Sequence, residues 1–326
     1  MGSESLILVM GVTGAGKSYF INQLKPNSVT EGHSLVSQTK TCKLVQMKIG
    51  ACTVAAVDTP GFDDDEDSDA VVLSKITRFL TTQYLLSISL KGIILLHDIS
   101  STRFSGSEKR YLNTFRQICG EHAFANVALV TTMWASVDKS IGLRREEELQ
   151  IGPWADLISK GSYTFQYNGT PDMAQTIAVQ MMAKDDVVLQ IQEELKIGHC
   201  KLESTSAGAK LAAQLEKQLE ERRKIIQDLN ARLAVEKRSR NPGEKRNINQ
   251  RLAAQREKQL RQIRARDELR AKIGEETEKA IEEVDNNKKR KREKWKSRLQ
   301  IFAAALGPVI ALTVNLILPL AGVKVG

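Results

Sequence analysis

Cysteine, proline and aromatic residues are all scarce in this chain, and each scarcity excludes something. Its 326 residues hold four cysteines, Cys42, Cys52, Cys119 and Cys200. Their spacing matches neither a disulfide framework nor a zinc site, so they read as free thiols of a reducing compartment. With 7 prolines in all, long stretches are left free to run as unbroken helix. Aromatics make up 5% of the chain. They are nearly missing from the basic C-terminal third, where Trp295 stands alone between residues 201 and 300. That argues against a nucleic-acid surface, which needs bases stacked on rings as well as positive charge. No leader pattern precedes the first apolar run, because Met1 to Ser5 leads straight into it. Gly2 does not make a myristoylation signal, since Leu6 occupies the place that wants Ser or Thr.

The net charge of +9 is unevenly spread. Residues 201–300 hold 29 Lys and Arg against 17 Asp and Glu, and the rest of the chain holds 19 against 22. The basic character therefore belongs to a C-terminal extension and not to the N-terminal part. Length points the same way, suiting one large domain with extensions.

What the N-terminal part does contain is a glycine-rich turn in a telling place. Gly11-Val12-Thr13-Gly14-Ala15-Gly16-Lys17-Ser18 follows the pattern G-x-x-x-x-G-K-[ST]. An apolar run, Leu6 to Met10, precedes it, and a plausible helix, Tyr19 to Leu24, follows. Strand, glycine turn and helix start together make a phosphate cradle. The glycines let backbone N–H groups curl round an anion, and the helix N-terminus adds its dipole. In such a cradle Lys17 reaches the terminal phosphates and the Ser18 hydroxyl ligates Mg²⁺. The expected nucleotide-binding set is Gly11, Thr13, Gly14, Ala15, Gly16, Lys17, Ser18 and Tyr19.

A second motif narrows the class. The apolar stretch Cys52 to Val57 reads as a buried strand ending in Asp58-Thr59-Pro60-Gly61. This is D-x-x-G, with Asp58 expected in the Mg²⁺ shell and the Gly61 N–H on the γ-phosphate. Between the motifs, residues 31–41 are rich in Ser, Thr, Gly and Gln, as a first switch loop would be. Such a loop needs a Thr that ligates Mg²⁺ and senses the γ-phosphate. Thr39 and Thr41 both qualify, and Thr39 is chosen.

Further residues carry a family resemblance. Val36-Ser37-Gln38-Thr39-Lys40-Thr41-Cys42 resembles the V-T-K-T-C switch segment of the GIMAP-type immunity-associated GTPases, and Asp58-Thr59-Pro60-Gly61-Phe62 resembles their D-T-P-G-[LF]. Arg103-Phe104-Ser105 resembles their R-[YF]-[ST] box. Ser105-Gly106-Ser107 and Val130-Thr131-Thr132-Met133-Trp134 are similar to segments of fungal G-domain proteins related to GIMAPs, septins and the chloroplast import receptor GTPases. The resemblance covers about residues 5–182. It implies a TRAFAC-class G domain that binds GTP, GDP and Mg²⁺ and forms homodimers across its nucleotide face. It also makes Arg103 a candidate arginine finger or dimer contact, beside the plainer reading of a solvated Arg in a Ser-rich loop.

Two departures stand out. The strand Asn126 to Val130 should lead into [N/T]-K-x-D, whose Asp accepts hydrogen bonds from guanine N1 and N2. Here the segment is read as Thr131-Thr132-Met133-Trp134, with Trp134 in the place of the Asp. Trp134 has two roles open to it, stacking on a base or packing in the core. Asp138, four residues later, can fold back. Thr131, Thr132, Trp134, Asn168 and Gly169 are the expected base-side residues. The second departure is Phe62, which stands where a Gln would orient the attacking water. Slow intrinsic hydrolysis follows, stimulated by dimerisation or a partner, with catalysis resting on Lys17, Thr39, Gly61 and Arg103. A nucleotide-binding scaffold without hydrolysis and an ATP-using protein are the alternatives. The acidic run Asp63 to Asp67 falls in the second switch, as a solvated loop or as a contact for a basic partner.

The C-terminal extension reads as helix. Ala212, Leu215, Leu219, Arg222, Ile226, Leu229 and Leu233 step by three and four, a heptad seam with one polar interruption. Asn241-Pro242-Gly243 breaks it, and a second arm to Arg298 has a thinner seam of Ile248, Leu252, Leu260, Ile263, Ile273, Ile281 and Val284. The arms fold into an antiparallel hairpin or pair between chains or with a coiled-coil partner; both remain open. Ser204 to Gly208 reads as a linker. Leu299 to Val323 is 25 residues without a charge, behind the basic flank Lys288 to Arg298. That length suffices for a membrane span, and the flank suits an anionic cytosolic surface. The competing reading is an apolar helix docked on the G domain. The expected architecture is an α/β P-loop NTPase G domain with a mainly parallel sheet (1–200), a basic coiled-coil region (205–298) and an apolar C-terminal helix (299–323). The expected location is cytoplasmic, with the tail anchored in an intracellular membrane.

Overall fold

The computed structural model describes residues 4–29, 43–49, 52–59, 69–198, 200–236, 242–291, 301–302 and 305–306. Six strands form one sheet: β1 (Glu4–Met10), β2 (Lys43–Ile49), β3 (Cys52–Asp58), β4 (Ser89–Asp98), β5 (Val127–Thr132) and β6 (Tyr163–Gln166). Their order is β2-β3-β1-β4-β5-β6. Every neighbouring pair is parallel except the hairpin of β2 and β3. The helices among the described residues are α1 (Lys17–Leu24), α2 (Asp69–Leu85), α3 (Gly106–Cys119), α4 (Lys139–Ile151), α5 (Ala155–Ser159), α6 (Pro171–Met182), α7 (Gln190–Gly198), α8 (Ser206–Glu236), α9 (Pro242–Leu269) and α10 (Ile273–Lys291).

Strand alternation explains the two cores. On β1, Leu6, Leu8 and Met10 point to the face covered by α2 and α3, while Ile7 and Val9 point to the face covered by α1 and α6. β5 repeats the division, with Leu129 on the first face and Ala128 and Val130 on the second. A sheet buried on both sides needs continuous apolar runs, which is why these strands show no polar alternation. Phe20 and Ile21 anchor α1, and Phe20 meets Tyr167 edge-on at 5.2 Å. Cys119 closes the other core at the end of α3; it is wholly buried, and burial pushes its thiol far above the usual range.

The extension folds back as an antiparallel hairpin of α8 and α9 within the chain. Arg222, the polar break in the seam, donates to Gln255 (2.5 Å) and Gln262 (2.8 Å) across the pair. Leu229, Ile248 and Leu252 form a small core towards the tip. Leu215 and Leu219, nearer the base, join the main core, each such side chain stabilising by about 1.5–3 kcal/mol. Three expectations change. The expected linker, Ser204 to Gly208, is packed in place, since Thr205 and Ala207 are buried and a Cβ on Gly208 would lie 1.9 Å from the carbonyl oxygen of buried Leu202. Leu260 is exposed, outside the seam. The second arm is not continuous but turns between Leu269 and Ile273, bringing α10 against α2. There the Ser74 hydroxyl donates to Glu268 (2.6 Å) and Arg78 pairs with Glu276 (2.5 Å).

Part of the apolar C-terminal segment falls among the described residues. Phe302 is wholly buried and meets Phe79 of α2 edge-on at 4.8 Å, with Ala305 and Leu306 also buried. Among the described residues, no helix is long and apolar enough to cross a membrane. The rest of residues 299–323 lies outside them.

Candidate functional site

The predicted phosphate-binding residues come together at the C-terminal ends of the parallel strands. α1 leaves β1 towards one face and α2 follows β3 on the other, so a crevice opens at the end of β1, where open α/β sheets take their ligands. Gly11 follows β1 directly. A Cβ there would lie 2.6 Å from the Leu96 carbonyl oxygen, so only glycine allows this close approach. Gly14 and Gly16 adopt left-handed backbone, φ 85° and 87°. Among the described residues, nothing stands within 4 Å of a Cβ built on Gly14.

Lys17, only 7% exposed, arches over the turn and donates from Nζ to the carbonyl oxygens of Gly11 (3.0 Å) and Val12 (2.9 Å). Its ammonium is held at the mouth of the loop, beside the first turn of α1. Ala15 N–H closes the turn onto the Val12 carbonyl (3.2 Å). Gly16, which has no side chain to donate or accept, caps α1 at the point where its dipole meets the turn. The Thr13 hydroxyl is buried and has no partner among the described residues. Ser18 is the second residue of α1. Concave backbone, one retained cation and uncapped helix dipole together make an oxyanion cradle for phosphate.

The neighbouring strands brace it. Asp58 ends β3 opposite Val9, close to the turn, and the Thr59 hydroxyl donates to the Val9 carbonyl (3.0 Å). The Thr132 hydroxyl donates to the carbonyl oxygens of Ala15 (3.1 Å) and His97 (3.2 Å), tying the end of β5 to the loop. Thr131, on the opposite face of the strand, donates instead to buried Glu146 (3.0 Å) and to the Phe165 carbonyl (3.2 Å). So of the two predicted threonines only Thr132 touches the cradle. Trp134 is half-buried; its indole N–H donates to Thr131, and its six-membered ring lies so close to α4 that a Cβ on Gly142 would meet it at 2.8 Å. That satisfies the packing role for Trp134. Asp138 does not fold back onto a base. It caps α4, accepting from Ser140 N–H (2.9 Å) and Ile141 N–H, and the bonds from Ser140 hold its carboxyl below the usual range. Tyr19 reaches the loop after β6, its hydroxyl donating to the Gly169 carbonyl (3.0 Å), and Asn168 accepts from Thr170 in the same loop. Thr39, Gly61, Phe62 and the acidic run 63–67 lie outside the described residues.

The Arg103-Phe104-Ser105 box has a structural basis. Ser105 caps α3 in a reciprocal capping box: its hydroxyl accepts from Glu108 N–H (3.1 Å) and Glu108 Oε2 accepts from Ser105 N–H (2.7 Å). Phe104 packs against His97 at 5.8 Å. Arg103 is left exposed on the loop after β4. Arg145, which the sequence reading missed, fixes the base of that loop by donating to the carbonyl oxygens of Ile99 (3.0 Å) and Ser100 (2.9 Å). Burial raises the Glu108 carboxyl, but bonds from His97 and Ser105 outweigh it and hold the group below the usual carboxylate range. Because folding lowers this pKa, the contribution is complete above the ordinary carboxylate range and is lost as pH falls through the lowered value. Urea midpoints followed from about pH 6 to about pH 3 should therefore fall more steeply for the native chain than for Glu108→Gln.

Sheet order, glycine turn and braced lysine define an α/β G domain of the P-loop type, followed by a helical region. Residues 5–143 match the family model described as the AIG1 family. GTP-binding protein A of Dictyostelium discoideum is 28% identical over 155 residues, 47% of this chain; the chain spans 33% of that relative's length. Among solved structures, Toc33 from Arabidopsis thaliana in complex with GDP and Mg²⁺ is similar with a TM-score of 0.46 and 17% identity over 57% of this chain and 88% of that one. Its complex with Mg²⁺ and GMPPNP gives 0.47 and 16%, over 57% and 87%.

Proposed function

We propose that this chain is a GTP-binding switch protein with slow GTP hydrolysis, stimulated when two G domains or a partner meet at the nucleotide face. The cradle carries this reading: Gly14 and Gly16 in left-handed backbone, Lys17 held over the loop, and the uncapped start of α1 behind them. These groups match the needs of a triphosphate, whose charge they would meet with N–H donors and one cation. Mg²⁺ supplies the remaining charge neutralisation when bound, with Ser18, Thr39 and Asp58 as its protein ligands. GTP is the favoured nucleotide because the matched family segment and the Dictyostelium relative, itself a GTP-binding protein by name, cover this same half of the chain. The R-F-S box and the T-T-M-W segment favour the GIMAP-type branch and its fungal relatives within that family.

Slow turnover follows from Phe62, an apolar side chain that cannot orient a water. Exposed Arg103 stands on a loop at the same edge of the sheet as the cradle, where a second G domain would meet it. An arginine supplied in this way is worth about 10³–10⁵ in rate. Membrane action is the outermost part of the proposal, and it rests on the apolar composition of residues 299–323 and the basic flank before them.

The test is calorimetric titration of the full chain with GTP and ATP in Mg²⁺, beside Lys17→Ala. GTP binding weakened by roughly 100-fold in the variant is the expected result, since the lost group makes charged hydrogen bonds. Turnover per molecule should rise with protein concentration. Equal, weak binding by the native chain and the variant would sink the nucleotide reading, and a concentration-independent rate would sink the dimer.

A further inference from the structure

We infer that Ala135 occupies the guanine-reading position of this site, so that the site takes guanine and hypoxanthine nucleotides alike. The inference rests on the nucleotide reading above and deepens it.

In the [N/T]-K-x-D pattern, the first residue ends the strand and ties it to the phosphate loop, and the fourth carries the carboxylate. Two adjacent threonines make the register ambiguous in the sequence. The structure removes the ambiguity, because side chains alternate across a strand and only one of the two faces the loop. That one is Thr132, the last residue of β5, bonded to the Ala15 carbonyl at 3.1 Å. Thr131 faces the other way, to Glu146. Met133 follows in left-handed backbone, φ 60°, and lays its terminal methyl 3.6 Å from where a Gly16 Cβ would be. It covers the loop as the second residue of the pattern should. Trp134 is then the third residue, turned inward against Gly142. The fourth is Ala135, exposed and without any polar side-chain atom.

The first two carboxylates that follow Ala135 along the chain are otherwise engaged. Asp138 caps α4 through the N–H groups of Ser140 and Ile141 and through the Ser140 hydroxyl. Glu146 is buried beneath β5 and accepts from Thr131 and Gln166. Neither is left to receive a base.

The chemistry gives a sharp consequence. Guanine presents two donors on one edge, N1–H and the 2-amino group, and an ionised carboxylate accepts both. Hypoxanthine presents N1–H alone. A site with the carboxylate loses a charged hydrogen bond when inosine triphosphate replaces GTP, worth roughly 10- to 100-fold in affinity. A site with a methyl group in that place has no such bond to lose.

Titration of the full chain with GTP and with inosine triphosphate, both with Mg²⁺, tests this. The two dissociation constants should agree within about fivefold in the native chain. In Ala135→Asp the preference for GTP should widen to about tenfold or more. Asp138→Asn should leave the native ratio where it is. A native preference for GTP beyond about fivefold would overturn the inference, as would a collapse of the ratio in Asp138→Asn, which would assign the reading to Asp138. Failure of both nucleotides to bind, with Lys17→Ala no different, is a separate result that removes the nucleotide reading itself.

Discussion

Gly11→Ala is expected to abolish nucleotide binding and to lower the melting temperature by roughly 10 °C, whereas Gly14→Ala should leave the fold nearly intact. The two glycines belong to one loop but meet different surroundings. A methyl on Gly11 would come within 2.6 Å of the Leu96 carbonyl oxygen and 3.2 Å of the Ala15 Cβ. Both neighbours belong to braced backbone, one in β4 and the other in the loop, so neither can swing aside. Relief requires β1 and β4 to part at their C-terminal ends, at a cost of about 3–5 kcal/mol. Gly14 has nothing among the described residues within 4 Å of its missing Cβ. Its alanine carries only the strain of left-handed backbone, about 1–2 kcal/mol, and places the methyl in the space a phosphate would use. Thermal melting and GTP titration of both variants separate the effects. If Gly11→Ala melts like the native chain, the close approach of β4 to the loop is wrong.

Phe302→Ala should cost about 3–5 kcal/mol of unfolding free energy in the absence of any lipid. The ring is wholly buried, edge-on to Phe79, with Leu306 buried beside it. Truncation removes the transfer term, leaves a cavity next to Phe79, and forfeits about 0.5–1.5 kcal/mol of aromatic pairing. Urea unfolding of the purified full chain measures it, with Phe79→Ala as the partner in a double-mutant cycle. A midpoint unchanged by Phe302→Ala would show that Phe302 does not pack on α2 in solution.

Most of the sheet was legible because its signals are local. The strands announced themselves as apolar runs, and the glycine turn sat between a strand and a helix as the cradle requires. Gly14, Gly16 and Lys17 lie at that turn, between β1 and α1. What stayed hidden depends on partners distant in sequence. Nothing local tells which of Thr131 and Thr132 faces the loop, since both are β-formers and only the packing of β5 against the turn decides. The hairpin was undecidable for the same reason: Arg222 meets Gln255 and Gln262 only once the chain has reversed. Ser105 and Glu108 form a capping pattern that is local and readable as S-x-x-E at the start of α3. The turn after Leu269 lacks a proline, and the glycine that follows it, Gly274, falls inside α10. Residues 204–208 read as a linker because Ser, Thr and Gly dominate them. Yet Gly208 is small there because the Leu202 carbonyl leaves no room.

The seat of Phe302 on α2 changes what hydropathy means for the apolar end of this chain. A stretch with no alternative leaves water for a bilayer at a gain set by its own composition. Here Phe302, Ala305 and Leu306 already have a dry host, and moving them would strip one side of Phe79 and expose the flank of α2 to solvent. Residence at a bilayer, as proposed above, would therefore be a partition between two apolar hosts, decided by the difference between them. Loosening α2 would shift that partition as effectively as adding leucines to the tail.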